Sequence, residues 1–327
     1  MTHCVLYHFY ENSADYADNF RHFLEFGCEG HDVICVLSSD VSFPLPQRNN
    51  IRYITAENKN YDYGGFSHII GLGMLTAYDH VVFINSSVRG PYTPPWQNMN
   101  WTDAYLDHLR RDANVGLVGS SINVLPNTSK YAVAYRERHG GDGLCAHVQS
   151  YAFALSKKAL QTLCDDKFFS FTGELSKDKL IVDYEIHMSQ LLIKKGYAIK
   201  CLMPEYNRLD FKALTDATAC NPTANGGDPS FKFAYFGRTP HPYETVFAKA
   251  NRSIYPAGFL EALSFSMLCA KGSPPDLLFG QTAQPQTFLK EAETQRIPAL
   301  WRDVYKLVWK KIDPKRLRKK RIKTIDR

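Results

Sequence analysis

Two short runs, Val33-Ile34-Cys35-Val36-Leu37 and Val81-Val82-Phe83-Ile84, are apolar at every position and not at every second one. A strand with one wet face alternates, so an unbroken run suits a parallel strand covered on both faces by helices. Each run gives way to small polar residues, Ser38-Ser39-Asp40 after the first and Asn85-Ser86-Ser87-Val88-Arg89-Gly90-Pro91 after the second. Ligands of open α/β sheets gather beside the carboxyl ends of strands, which makes these two corners candidate sites.

The first third of the chain keeps the same rhythm. Residues 4–10 read as a strand, and residues 14–26 as a helix with Tyr16, Phe20, Phe23 and Leu24 at helical spacing before Gly27 and Gly30. Residues 51–54 read as a short strand and residues 67–77 as a helix, which completes a β-α-β-β-α-β alternation. Further on, helices are expected over 101–111, 157–164 and 181–195, and strands over 115–119, 148–155 and 198–202. Residues 122–147 read as a loop, and the Gly-, Pro- and Asn-rich residues 221–242 as a structured loop over a site. The expected division is a main domain over 1–255, a helix and Pro-rich connector over 256–298, and an amphipathic basic helical tail over 299–327. In the tail, Trp301, Val304, Tyr305, Val308 and Ile312 share one helical face.

With 44% hydrophobic and 13% aromatic residues the chain has ample material for a core, which excludes disorder throughout. Its eight cysteines form no C-x-x-C pair, and it opens on a strand-like run and not on a charged n-region, so a cytosolic protein with reduced thiols is expected. No apolar run approaches the roughly 20 residues that a spanning helix needs. From Lys310 to Arg327, ten Lys/Arg against two Asp give +8, and with a total of +6 the rest carries −2. The body is therefore no polyanion binder, and nucleic acid is not an expected partner. The tail suits an anionic membrane surface, although its apolar stripe reads equally as a helix docked on the protein itself. A serine hydrolase would want G-x-S-x-G and a nucleotidyltransferase an early Gly-rich phosphate loop, and the chain has neither.

The stretch Phe83-Ile84-Asn85-Ser86-Ser87-Val88-Arg89-Gly90-Pro91 resembles glycosyltransferases of the GT-A fold. So, in order, do His147-Val148-Gln149-Ser150, the helix from Asp183-Tyr184-Glu185 to Gly196-Tyr197, and His241-Pro242-Tyr243-Glu244. The likeness covers residues 1–252 and is narrowest to a group found in bacterial and large-virus polysaccharide clusters. It implies an α/β, Rossmann-like, mostly parallel sheet flanked by helices. It also implies transfer of a sugar from a nucleotide-sugar to a hydroxyl of a glycan or lipid-linked glycan, while the basic tail leads us to expect peripheral attachment at the inner face of the cytoplasmic membrane.

In such enzymes the strand ending at Ile84 usually delivers an Asp-x-Asp pair that holds Mn or Mg against the diphosphate. Here the positions read Asn85-Ser86-Ser87, which puts metal dependence in doubt, because hard cations prefer carboxylate oxygens. If a metal binds, Asn85, Ser87 and His241 are the candidate ligands, with Asp183 and Glu185 as a second pair. The resemblance implies donor contacts from His8, Tyr10, Asp40, Asp62, Asn85, Ser86 and Ser87. Arg89, Arg238 and His241 would supply positive charge to the phosphates. It implies Glu185, with Asp183, as the base that deprotonates the acceptor, in a first helical turn where the dipole keeps it ionised. Trp96, Trp101, His147 and Gln149 would flank the acceptor. From the residues alone, Asp183 is also an N-cap, Asp40 a solvated turn, Arg89 a turn residue, and the Trp and His residues core. Loss of the Asp-x-Asp pair equally suits a catalytically silent sugar-nucleotide or glycan-binding module.

Overall fold

The apolar runs become neighbouring strands of one sheet. The computed structural model describes residues 1–97, 99–141, 143–214, 217, 220 and 227–272. Among them the strands are β1 (His3–Phe9), β2 (Asp32–Leu37), β3 (Ile51–Thr55), β4 (His80–Asn85), β5 (Val88–Arg89), β6 (Val115–Gly119), β7 (Ile122–Leu125), β8 (Cys145–Val148), β9 (Ala152–Ser156), β10 (Ala198–Cys201) and β11 (Ala248–Lys249). Seven form the central sheet in the order β10-β6-β9-β4-β1-β2-β3, in which β9 alone runs antiparallel to its neighbours. The others form two antiparallel ribbons, β5 with β11 and β7 with β8.

The helices are α1 (Ala14–Phe26), α2 (Tyr61–Gly71), α3 (Asp103–Arg111), α4 (Lys130–His139), α5 (Lys157–Asp165), α6 (Lys177–Leu180), α7 (His187–Lys194), α8 (Pro242–Thr245) and α9 (Phe259–Lys271). Successive strand residues point to opposite faces, and both faces are covered. Cys4, Leu6, Ile34, Val36, Val81 and Phe83 pack with Tyr63, Phe66 and Ile69 of α2 and with Leu160, Leu163, Met188 and Leu192. Val5, Tyr7, Phe9, Val33, Cys35, Val82 and Ile84 pack with Phe20, Phe23 and Leu24 of α1 and with Tyr105, Leu106 and Leu109 of α3. The mostly parallel α/β sheet expected from unalternating strands is what forms.

Several expectations are corrected. The second helix starts at Tyr61, six residues before its predicted start, and takes in Gly64 and Gly65. The pair reads as a turn in sequence, but a Cβ on Gly65 would lie 2.2 Å from the His8 ring, so glycine is what lets α2 approach β1. The predicted loop over 122–147 holds β7, α4 and the start of β8, because α4 buries only Ala132 and Tyr135 and shows no strong apolar period. The predicted strand over 148–155 is two strands in different sheets, broken at residues 149–151. The helix expected from 181 begins at Lys177, where the Ser176 hydroxyl accepts the Lys179 N–H, and it widens to a π-helix over Ile181–Ile186 before α7. The helix α9 docks on the domain, with Lys271 Nζ donating to the Glu25 carbonyl at 2.9 Å and Tyr92 Oη to the Leu260 carbonyl at 3.1 Å. Among the described residues no helix is long and apolar enough to cross a membrane. The Pro-rich connector from residue 273 and the amphipathic tail lie outside the described residues.

Candidate active site

The strand order reverses between β1, which leads to β2 and β3 on one side, and β4, which leads to β9, β6 and β10 on the other. Chain ends diverge at such a point and leave a crevice. At its floor, Asn85 closes β4 and Ser87 follows, with the Ser87 hydroxyl donating to Asn85 Oδ1 at 2.5 Å and the Ser87 N–H to the same oxygen at 3.1 Å. Asn85 Nδ2 donates to Asp62 Oδ2 at 2.8 Å. Asp62 is aimed there by a tight helix start, since Asn60 and Tyr61 both hold left-handed φ of 59° and 55°. Non-glycine residues in that region cost on the order of 1–3 kcal/mol each and persist where the surroundings impose them. The Asn60 side chain supplies that constraint, accepting the Leu175 N–H at 2.8 Å and donating to the Gly173 carbonyl at 3.0 Å.

Lys249 of β11 reaches the same corner, its Nζ donating to Ser87 Oγ at 2.7 Å. Glu185 sits in the π-helical stretch, half-buried, and accepts the Ser150 N–H at 3.2 Å. A π-turn advances the chain by more than an α-turn, re-aims one side chain, and recurs at functional sites. Burial raises the Asp62 carboxyl to about 6, the Asn85 bond opposes this, and the nearby Glu185 charge adds to it. Burial, reinforced by Arg252, lowers the Lys249 ammonium to about 8, against the pull of Glu185, Asp62 and Asp228. Asp62, Glu185 and Lys249 are thus within electrostatic reach of one another.

Above this corner a polar cluster is fully paired. Gln149 accepts from Ser121 at 2.7 Å and Ser230 at 2.8 Å and donates to Asp228 at 3.0 Å, and Asp228 also pairs with Arg252 at 2.7 Å. Along the strand ends, His8 is buried against the Ser38 hydroxyl at 3.0 Å, and burial lowers its ring to about 4, which keeps it neutral. Beyond Ser38, exposed Asp40 lines an open groove of about 710 Å3 with Ser39, Phe43, Gln47 and Thr55. Tyr10 is exposed, and its backbone exchanges hydrogen bonds with the buried Ser86 hydroxyl at 3.3 and 3.2 Å.

Other predicted residues lie elsewhere. Arg89 is buried behind the β5–β11 ribbon, its Nε donating to Asn19 at 2.9 Å and its Nη1 pairing with Glu261 at 2.6 Å. Register explains the correction: Lys249 pairs with Val88 and Ala248 with Arg89, so the two cations project from opposite faces. Arg238 is held by Glu244 and Glu205, both at 2.6 Å, and stacks on Tyr235. His241 caps α8, accepting the Tyr243 N–H at 3.2 Å. Asp183 binds Arg138 at 2.7 Å and His139 at 2.9 Å; burial opposes ionisation, yet these bonds hold its carboxyl below the usual range. It is neither an N-cap nor a partner of Glu185, and Glu185 stands well inside a helical segment, so the dipole argument for its ionisation falls. Trp101 is core, with its indole donating to the Gly27 carbonyl at 3.3 Å. Trp96 stands exposed beside Tyr243, and His147 is buried on β8 opposite Asn123.

The cation implied by the resemblance finds no fitting donor set here. Asn85 Oδ1 is committed to the Ser87 N–H and hydroxyl, Ser87 Oγ faces an ammonium, and His241 is spent as a cap. Among the described residues no three His, Cys, Asp or Glu side chains cluster closely enough to hold a metal ion. Sequence reasoning passed over Lys249 and Arg252 as site residues and read Asp228 only as part of the structured loop over 221–242. The one signal for Lys249 is its place between small and apolar neighbours in Phe247-Ala248-Lys249-Ala250.

No protein-family model and no curated protein matches the chain. Among solved structures it is similar to the mannosyltransferase PcManGT from Pyrobaculum calidifontis in complex with GDP-Man and Mn2+, at 13% identity and a TM-score of 0.35, over 89% of this chain and 79% of that one. It is similar also to a glycosyltransferase involved in the glycosylation of the major capsid of PBCV-1, at 13% identity and a TM-score of 0.30, over 56% of this chain and 76% of that one. Likeness at that level carries no argument about this chain, so function rests on the residues of the crevice.

Proposed function

We propose that the chain is a glycosyltransferase that moves a hexosyl or pentosyl group from a nucleotide-sugar to a hydroxyl of a glycan or lipid-linked glycan, with inversion. One observation carries the reading: a carboxylate, Glu185, and an ammonium, Lys249, lie within electrostatic reach of each other beside the Asn85–Ser87 corner. That corner is at the switch point of the sheet, where nucleotides dock in open α/β folds.

In the proposed step Glu185 takes the proton of the acceptor hydroxyl as its oxygen bonds to the anomeric carbon. The bond from that carbon to the phosphate oxygen breaks, and its electron pair leaves on the nucleoside diphosphate. The products are glycoside, nucleoside diphosphate and a protonated carboxyl. His8, Asp40 and the groove beyond β2 would take the nucleoside. In the same reading the basic residues of 299–327 hold the enzyme on the anionic inner face of the cytoplasmic membrane, where acceptors for capsule or lipopolysaccharide synthesis are assembled.

The test is release of nucleoside diphosphate from UDP-, GDP- and dTDP-sugars on addition of membrane glycan acceptors. Turnover by the native chain and its loss in Glu185→Gln support the reading. Binding without turnover identifies a catalytically silent module, and absence of any binding sinks both.

A further inference from the structure

We propose that the Lys249 ammonium takes the place of a divalent cation as the counter-charge to the donor's diphosphate. The inference rests on the glycosyltransferase reading above and assigns that site's phosphate-binding group. Three observations carry it. The oxygens at positions 85 and 87 are arranged to receive N–H and O–H groups, and the group that faces them is Lys249 Nζ at 2.7 Å from Ser87 Oγ. The register of the β5–β11 ribbon puts Lys249 on the face opposite Arg89, whose charge Glu261 already neutralises. Arg252 pairs with Asp228, and Arg238 with Glu205 and Glu244, whereas Lys249 has a hydroxyl partner and lies over the Tyr151 ring at 5.3 Å.

A half-buried ammonium with carboxylates in electrostatic reach but none in direct contact is costly to keep charged. A phosphate oxygen in the crevice would supply the direct anionic contact. Binding should then tighten the hold of Lys249 on its proton, which lies near pH 8 in the free protein with Arg252 opposing the charge and Glu185, Asp62 and Asp228 favouring it. Diphosphate binding above that pH is therefore accompanied by proton uptake.

The full chain is titrated calorimetrically with UDP, GDP, dTDP and inorganic pyrophosphate, once with EDTA and once with Mn2+. Each condition is repeated at pH 9 in two buffers of different ionisation enthalpy. Expected is equal affinity with EDTA and with Mn2+, and proton uptake at pH 9. Lys249→Met should lose roughly ten- to hundredfold in diphosphate affinity, the size of one charge-assisted hydrogen bond. Lys249→Arg should bind without proton uptake, since guanidinium does not titrate there, and its melting curve controls for folding. A diphosphate that binds with Mn2+ and not with EDTA overturns the inference while leaving a metal-using transferase. Unchanged binding by Lys249→Met overturns it as well. Failure of all four probes in both conditions overturns the inference together with the reading on which it rests.

Discussion

Asp62 is buried, at 9% exposure, against Asn85 and near a second carboxylate, so its ionised form strains the folded state. Burial lifts its carboxyl from 3.8 to about 6, so the folded chain keeps this proton to a higher pH than the unfolded chain does. Below about pH 4 the group is protonated in both states and costs nothing. The penalty grows as pH rises through the window between about 4 and 6 and is complete above it. Two pKa units correspond to about 3 kcal/mol. Asp62→Asn keeps the shape, lets an amide oxygen accept from Asn85 Nδ2, and removes the charge. The variant should exceed the native chain in stability by up to about 3 kcal/mol at pH 8, a gain of roughly 5–10 °C in Tm, and should match it near pH 4. Urea titrations at the two pH values measure the difference directly. A gain of the same size at both values, or a loss at pH 8, would refute the assignment of strain to the ionised carboxylate. Nucleoside diphosphate release should fall in the same variant, because strain retained at a crevice is a mark of use.

Glu185→Gln should lower the rate of nucleoside diphosphate release by roughly 10²–10⁴-fold, the usual worth of a general base, with the donor Kd unchanged by calorimetry. Donor affinity of the native chain should decline as pH rises through about 8, where Lys249 loses its proton, and Lys249→Arg should flatten that decline. Glu261→Ala leaves the Arg89 guanidinium, 7% exposed, without its carboxylate, and should destabilise the fold by about 3 kcal/mol in denaturant titrations. Deletion of residues 299–327 should abolish salt-sensitive sedimentation with phosphatidylserine vesicles.

Much of the frame is legible in the residues. The strands β2 and β4 hold unbroken apolar runs, β1 is apolar but for its histidines, and α1 keeps a clear period, because each buries its pattern in a single environment. The start of α2 and the whole of α4 are not legible, since contacts from other segments override local preference there. Nothing local announces that His8 demands glycine at Gly65. Of the candidate residues, Asp62, Asn85 and Ser87 come together because strand ends and helix starts converge at a switch point whatever the details of packing. Arg89 and Lys249 could not be sorted from sequence. Their faces are set by a ribbon of two residues per strand whose partners lie 162 positions apart between Ser87 and Lys249, too short to leave a period and too distant to leave a turn signal.

That ribbon joins stability to chemistry. On one face Arg89 ties β5 to α1 through Asn19 and to α9 through Glu261, and on the other Lys249 closes the corner at Ser87. Asn19 also donates to the Ser86 carbonyl at 2.9 Å, so the backbone between Asn85 and Ser87 is braced by the residue that orients Arg89. An ammonium on a flexible stem is a poor point charge unless its root is fixed, and here the root is fixed by a part-buried ion pair on the reverse side of the same two strands. The motif that opens with Asn85 and ends at Arg89 is thus one unit with two outlooks. Its first residues meet the crevice, its last residue meets the core, and the cation that serves the crevice arrives from the strand paired with it.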